Sequence, residues 1–104
     1  MPPAVDTIVQ GIQSPGRFDA FVESEEEALR VVGQALPDAV ELPPVLPGQP
    51  YVPPPAGTKK WYQVHPAEPG VGNNLPHIKY VDWTRGKRRK GGSWGHIFFP
   101  PKSD

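Results

Sequence analysis

Hydrophobic residues repeat with a helical period in the first third of the chain, directly after a cluster of acidic residues. Ser24 precedes three glutamates, and its hydroxyl is placed to accept a hydrogen bond from the Glu27 amide in a capping box. The glutamates also lie in the first turn, where the helix dipole favours negative charge. The apolar positions that follow at helical spacing are Ala28, Leu29, Val31, Val32, Ala35 and Leu36. Because Pro37 ends this pattern, the sequence predicts a helix over residues 25–36.

Apolar and polar positions alternate instead in the last third of the chain. Three runs rich in aromatic and β-branched residues, Lys59–His65, His77–Thr84 and Ser93–Phe99, are separated by segments rich in glycine, asparagine and proline. This pattern is typical of strands joined by turns, and the second and third runs predict a β-hairpin. Near the N-terminus, Thr7–Gln13 predicts a helical turn, and the alternation in Arg17–Glu23 indicates a further short strand.

A segment with eight prolines, residues 37–57, separates the predicted helix from the three strands. Proline lacks the backbone donor that an interior strand needs, so the segment favours polyproline II and predicts a stiff connector. The expected fold class is α+β, with an N-terminal helix followed by a small antiparallel sheet of three to four strands. The chain is expected to be a single domain, residues 1–104, divided into an acidic N-terminal part (1–36), the Pro-rich connector (37–57) and a basic antiparallel sheet (58–101).

Composition limits the size of the core and excludes several kinds of site. The 104 residues suffice for one modest core, although a hydrophobic fraction of 37% and 16 prolines indicate that part of the chain is irregular. Cysteine is absent, which excludes disulfides and thiolate metal ligands. No apolar run is long enough to span a bilayer, and the N-terminus lacks a signal-peptide pattern. We therefore expect a soluble monomer with no membrane partner.

A net charge of zero conceals two halves of opposite sign. Residues 1–56 hold eight acidic and two basic residues, whereas residues 57–104 hold nine basic and three acidic residues. The densest positive cluster, here called the basic loop, lies between the second and third strands and contains Arg85, Lys87, Arg88, Arg89 and Lys90. The split predicts a surface that binds a polyanion, or two halves that neutralise each other. With Trp83 and Trp94 available to stack on unpaired bases, the loop is a candidate nucleic-acid-binding surface.

The three histidines are the side chains suited to proton transfer near neutral pH. On the predicted strands His77 shares one face with Lys79, and His96 shares one face with Trp94. If these faces converge, one imidazole could remove the proton from a 2′-hydroxyl of RNA while another protonates the leaving 5′-oxygen. A neighbouring ammonium would neutralise the charge on the phosphoryl oxygens. The candidate catalytic residues are His77, Lys79 and His96, with His65 as a further candidate; which histidine is the acid stays open.

Motifs for metals and cofactors are absent from the sequence. The histidines lie 12 and 19 residues apart, with no HxH or HExxH spacing, and the nearby carboxylates are Glu68 and Asp82. No phosphate-binding loop or dinucleotide fingerprint occurs, and Ser93 lacks the strand–turn–helix context of a nucleophile elbow. The sequence therefore predicts chemistry that uses neither a metal nor a cofactor.

Four short motifs resemble the small C-terminal toxin domains of bacterial polymorphic toxin systems. They are SEEEAL (Ser24–Leu29), WY (Trp61–Tyr62), LPHIKYVDW (Leu75–Trp83) and GHIFF (Gly95–Phe99). The resemblance is to the type that groups barnase, EndoU, colicin and RelE ribonucleases. The chain departs from that type in its Pro-rich segment and its long basic loop.

This resemblance implies N-terminal helices, an antiparallel sheet that bears His and Lys or Arg, and metal-independent endoribonuclease activity. By resemblance, His77, Lys79 and His96 take the catalytic positions. It also implies a dedicated immunity protein as partner, and action in the cytoplasm of a target bacterium during bacterial competition. Two other functions stay open. One is a non-catalytic nucleic-acid-binding module, and the other is a phage- or plasmid-type protein-interaction domain that uses the acidic helix and the Pro-rich segment.

Overall fold

The structure, a computed structural model, describes residues 5–101. Its elements in chain order are α1 (Val5–Gln13), β1 (Gly16–Phe21), α2 (Glu25–Ala35), β2 (Val40–Glu41), β3 (Lys60–His65), a 3-10 turn (Pro69–Val71), β4 (His77–Asp82) and β5 (Ser93–Phe98). None of the helices in this range is long and apolar enough to cross a membrane. The predicted single domain also includes residues 1–4 and 102–104, which lie outside the described range.

The predicted helix is confirmed, and its first turn explains where it begins. Ser24 has an extended backbone and its hydroxyl accepts a hydrogen bond from the Glu27 amide at 3.1 Å. The Glu27 carboxylate reaches back and accepts from the Glu23 amide, also at 3.1 Å, one residue earlier than the standard capping box. The Ser24 hydroxyl thus satisfies one of the four free amides of the helix start, and α2 ends at Ala35, before Pro37.

The sheet differs from the predicted antiparallel sheet of three to four strands. It has five strands in the order β1-β5-β4-β3-β2 and is mixed. β4 pairs antiparallel with β3 and β5, as the alternating runs predicted, but β1 runs parallel to β5 and β2 runs parallel to β3. The helix α2 connects the two edge strands. Alternation along a strand marks its two faces and not its partner, so the parallel edges could not be read from the pattern.

One face of the sheet packs against both helices and forms the main core. Its fully buried members are Ile8 and Ile12 from α1, Ala28, Val31 and Val32 from α2, and Ile78, Tyr80 and Ile97 from the sheet. Burial of each large aliphatic side chain stabilises the fold by about 1.5–3 kcal/mol. No helix within residues 5–101 covers the opposite face, which we call the open face.

The helix-covered side holds one close approach that requires glycine. A Cβ atom at Gly95 of β5 would lie 1.7 Å from the Phe18 carbonyl oxygen and 2.9 Å from the Tyr80 hydroxyl. That hydroxyl donates a hydrogen bond of 3.1 Å to the same carbonyl, which ties β4 to β1 across β5. The edge strand β1 is therefore held to the sheet by a side chain from two strands away.

The Pro-rich segment, predicted as a connector, contains the short strand β2, packs along the edge of β3 and takes part in the open face. The Leu42 amide donates to the Tyr62 carbonyl and the Val45 amide to the Val64 carbonyl, both at 2.9 Å. Further along the segment, the Tyr51 ring lies 6.0 Å from the His65 ring. The segment thus brings one aromatic side chain over the end of β3.

Candidate functional site

Register arranges the open face in rows that run across four strands. The row at one end contains Phe21, Phe98, His77 and His65, from β1, β5, β4 and β3 in turn. The second row contains Asp19, His96, Lys79 and Gln63, and the third contains Arg17, Trp94, Val81 and Trp61. All four candidate catalytic residues therefore lie on one face: alternation predicted that His77 shares a face with Lys79, and the strand pairing adds His65 and His96 to it. We call the first two rows the histidine end.

The His77 ring contacts the rings of both other histidines. The His77 ring lies 5.4 Å from the His65 ring in a stacked arrangement and 5.1 Å from the His96 ring in an edge arrangement. Phe98 packs against both His77 and His96, with ring centroids 5.2 and 5.7 Å away. The cluster is thus compact, with apolar neighbours on one side.

His96 is held by a carboxylate that the sequence prediction missed. Its Nδ1 lies 3.2 Å from Asp19 Oδ1, which also accepts a hydrogen bond from the His96 backbone amide at 3.0 Å. Asp19 in turn accepts from Arg17 at 3.0 Å. Burial lowers the pKa of His96, and the hydrogen bond with Asp19 opposes that change. With Nδ1 turned to the carboxylate, Nε2 is the ring nitrogen left for proton transfer.

Lys79 lies between the histidines and the aromatic residues of the open face. Its register partners are His96 on β5 and Gln63 on β3. The Lys79 ammonium lies 5.7 Å from the centres of both the Tyr51 and the Trp61 rings, a cation–π distance. Burial, and after it the nearby Arg88 charge, lower the pKa of Lys79.

His77 is fully buried, which separates it from the more exposed His96. Its Nδ1 donates to the Leu75 carbonyl at 2.9 Å. Its Nε2 lies 3.1 Å from Glu68 Oε1, and this buried nitrogen has no hydrogen-bond partner. A substrate can therefore reach His77 only by way of Glu68, whose side chain is 39% exposed. The predicted direct contact between His77 and RNA does not fit this geometry.

His65 lies beside His77 and faces the same carboxylate. Its Nδ1 is 3.6 Å from Glu68 Oε1, and its Nε2 is 2.9 Å from Gln63 Oε1. Burial lowers the pKa of His65, with the Glu68 charge acting in the opposite direction. The structure thus includes His65, the fourth candidate, in the cluster.

Aromatic residues occupy the other end of the open face, next to the basic loop. Trp61 and Val81 are buried together with Leu42, and Trp83 and Trp94 pack against them. We call these five residues the tryptophan end. The Trp83 and Trp94 rings lie 6.0 Å apart, so both indoles are held by packing as well as being partly exposed. This end carries the candidate stacking residues.

The five bases of the basic loop have different environments. Arg85 donates to the Gln13 carbonyl at 2.7 Å, which ties it to α1. Arg88 lies over the Trp94 ring at 5.1 Å, and Lys87 and Arg88 line an open groove of about 730 Å³ together with Lys59 and Trp83. Arg89 has a positive φ of 64°, and both Arg89 and Lys90 are exposed. Among residues 5–101, none of these five bases forms an ion pair with the glutamates of α2.

The sequence prediction missed three polar residues that contact the histidines. Asp19 lies 77 residues from His96, and only the parallel pairing of β1 with β5 brings them together. Glu68 lies in the loop between β3 and β4, and Gln63 is a buried amide. One signal was present: His65 and His77 each adjoin a proline at the base of one predicted hairpin loop.

Comparison of the chain with protein-family models, with curated proteins and with solved structures found no match. The geometry of the open face is therefore the guide to its function.

Proposed function

We propose that this chain is an endoribonuclease domain that cleaves RNA on the open face of its sheet, without a metal. The observation that carries the proposal is that His96 and Lys79 are register partners on the open face. The His77–Glu68 pair lies on one side of them and the basic loop on the other. Two proton-transfer groups and a cation within one small area are what transphosphorylation of RNA needs.

The reaction moves two protons and exchanges one P–O bond for another. One group removes the proton from the 2′-hydroxyl, whose oxygen attacks the phosphorus. The other group protonates the 5′-oxygen as the P–O5′ bond breaks, which leaves a 2′,3′-cyclic phosphate and a 5′-hydroxyl. His96, oriented by Asp19 at 3.2 Å, is one of these groups. The second is the Glu68–His77 pair, in which the exposed carboxylate exchanges a proton with the buried imidazole 3.1 Å away.

Lys79 and the basic loop supply positive charge in two places. Lys79, between the two proton-transfer groups, neutralises the charge that develops on the phosphoryl oxygens. Lys87, Arg88 and Lys59 line the groove beside Trp83 and hold the phosphates that flank the cleaved bond. Stacking of a base on Trp83 or Trp94 would add about 1–3 kcal/mol to binding.

The test is digestion of a single-stranded RNA in excess EDTA, with wild-type chain and His96→Ala. We expect 2′,3′-cyclic phosphate ends from the wild type and a rate lower by about 10²–10⁴-fold in the variant. An oligonucleotide with 2′-deoxyribose at the cleaved position should resist both. Circular dichroism confirms that the variant is folded. Cleavage that stops when the chelator is added, or that survives His96→Ala, would refute this mechanism.

We also propose a partner protein for this chain and a cellular location for its action. A nuclease of this kind harms the cell that makes it unless an inhibitor covers the site. The proposed partner is therefore a dedicated immunity protein whose acidic surface contacts the basic loop. The place of action would be the cytoplasm of a target bacterium. A co-expression test addresses both points: growth arrest on expression of the chain should be relieved by the inhibitor's gene, and should not occur with His96→Ala.

A non-catalytic nucleic-acid-binding module is the second candidate, and the groove at the tryptophan end favours it. That groove and its bases are complete without the histidines. This candidate predicts salt-sensitive binding of RNA with no cleavage under any condition.

A further inference from the structure

The first residue of β4 and the last residue of β3 are both histidines, and they face each other across the sheet. His65 and His77 are register partners, and Glu68 from the loop that joins their strands lies against both rings. One nitrogen of each histidine and one carboxylate oxygen lie within 4.8 Å of one another. Sequence spacing gave such a group no support because His65 and His77 are 12 residues apart, yet antiparallel pairing places them side by side.

Hydrogen bonds determine which nitrogen of His77 carries a proton. Its Nδ1 lies 2.9 Å from the Leu75 carbonyl, which can only accept, so Nδ1 carries the hydrogen. In the neutral ring, Nε2 therefore has a free lone pair. This nitrogen is completely buried and has no hydrogen-bond partner, although the buried polar groups of proteins are nearly always paired.

The hydrogen bonds of Gln63 determine which nitrogen of His65 carries a proton. Gln63 is fully buried, and its amide nitrogen donates to the Pro43 carbonyl at 2.8 Å and to the Val52 carbonyl at 3.3 Å. Its Oε1 must then be the acceptor for His65 Nε2 at 2.9 Å. The lone pair of His65 is consequently on Nδ1, the atom that faces Glu68 at 3.6 Å.

Three electron-rich atoms thus converge in one place: two imidazole lone pairs and a carboxylate oxygen. Two lone pairs and a carboxylate oxygen repel one another, so a cation between them, either a proton or a metal ion, would stabilise the cluster. The distances fit an ion: two ligands held tetrahedrally at about 2.1 Å from one Zn²⁺ are about 3.4 Å apart. The observed nitrogen–oxygen distances of 3.1 and 3.6 Å lie on either side of that value.

We propose that His65 Nδ1, Glu68 and His77 Nε2 form a binding site for one divalent transition-metal ion of the zinc class. Two imidazoles and one carboxylate suit such ions, whereas Mg²⁺ and Ca²⁺ prefer oxygen ligands. Each imidazole also donates its other N–H to an oxygen, of Leu75 or Gln63, the arrangement that orients histidines in metal sites. The side of Glu68 that is exposed leaves a fourth position for water.

Metal binding at this site and proton transfer by His77 exclude each other, because both use the Nε2 lone pair. This consequence, unlike the site itself, rests on the proposed function. The ion would occupy the Glu68–His77 pair and leave His96 and Asp19 in place. The test of the site therefore measures binding and does not depend on RNA cleavage.

The test is calorimetric titration of the whole, chelator-treated chain with ZnCl₂, with a parallel Co²⁺ titration followed by visible absorption. We expect one ion per chain and a saturable Co²⁺ spectrum of tetrahedral intensity, with no binding of Mg²⁺. Glu68→Gln should weaken zinc binding by about 100-fold or more, since loss of an outer partner alone costs about 10–100-fold. Glu68 is partly exposed on a loop, so this variant should fold.

The matched control is Glu41→Gln, which removes an exposed carboxylate on β2 and should bind zinc as the wild type does. Gln63→Leu provides a second variant: it removes the acceptor for His65 Nε2 and should weaken binding less than Glu68→Gln does. Absence of saturable binding by the wild type means that only a proton lies between these groups, which overturns the proposal. Equal affinity of wild type and Glu68→Gln also overturns it.

Discussion

The two ends of the open face are built from the same strands and differ in how their polar groups are satisfied. At the tryptophan end, Trp61, Val81 and Leu42 form a second small core, and the charges of the adjacent basic loop are directed outward. At the histidine end, polar side chains are buried and depend on one another, and one nitrogen of His77 is left without a partner. A face that needs only to bind can keep its polar groups in water. Buried, incompletely satisfied groups cost free energy and are typical of chemistry or metal binding.

The largest effect is expected from a change beneath both ends. Gly95→Ala would drive a methyl group into the Phe18 carbonyl oxygen, so β1 and β5 must separate. We expect the free energy of unfolding to fall by about 3 kcal/mol or more, the upper end of the range observed when a methyl group is forced into a packed core. Urea denaturation measures it.

The matched control for that change is Gly33→Ala in α2, where a methyl group meets no atom within 4 Å. This variant should be more stable by about 0.5–1 kcal/mol, because glycine disfavours a helix interior. If Gly95→Ala were as stable as Gly33→Ala, the strand pairing that supports both ends would be wrong.

The second largest effect is expected from zinc, which should act on the histidine end and not on the tryptophan end. Saturating Zn²⁺ should reduce RNA cleavage by about 100-fold or more, the contribution of one proton-transfer group, while RNA binding at the tryptophan end is unchanged. Rates are measured with and without zinc, and affinities with an uncleavable 2′-deoxy analogue. Zinc that binds without affecting cleavage would show that His77 takes no part in the reaction.

A smaller effect should appear at the tryptophan end alone. Lys87→Gln combined with Arg88→Gln removes two bases from the groove, so RNA affinity should fall by about 10-fold at low salt. The slope of log K against log salt should flatten by about 1.4, since each phosphate contact on a single strand contributes about 0.7. Fluorescence anisotropy measures both quantities. Zinc affinity should not change, and a parallel loss of zinc affinity would contradict the independence of the two ends.

The smallest effect distinguishes bases within the basic loop. Arg85 is tied to the Gln13 carbonyl, so Arg85→Gln should lower RNA affinity by less than about 3-fold and destabilise the fold by about 1 kcal/mol. Filter binding and thermal unfolding of the same sample check the two values. An affinity loss equal to that of the Lys87/Arg88 pair would place Arg85 in the RNA contact instead.

Local patterns predicted the local features of this fold well. The capping residues before α2 marked its start, and alternation in β3, β4 and β5 assigned the candidate histidines to their faces. Each of these features depends on residues a few positions apart. The convergence of His65, His77 and His96, which the sequence left as a condition, follows from antiparallel pairing of neighbouring strands.

Contacts between distant segments could not be predicted in the same way. Asp19 reaches His96 only through a parallel strand pair, and the tautomer of His65 depends on carbonyls of Pro43 and Val52 that hold Gln63. No periodicity reports such contacts, because they depend on which surfaces pack together. The metal-type cluster escaped detection for this reason, since its ligands follow strand register and not a spacing motif.

The position of β5 inside the sheet has a consequence for the order in which the chain acquires its function. Of the five strands of this sheet, β1 is made first and its partner β5 is made last. Until Ser93–Phe98 has emerged, Asp19 has no histidine to hold and Phe21 has no ring to stack on. A nascent chain therefore carries the ligands of the metal cluster before it carries His96. The row that joins Asp19, His96 and Lys79 is therefore complete only after β5 has been made.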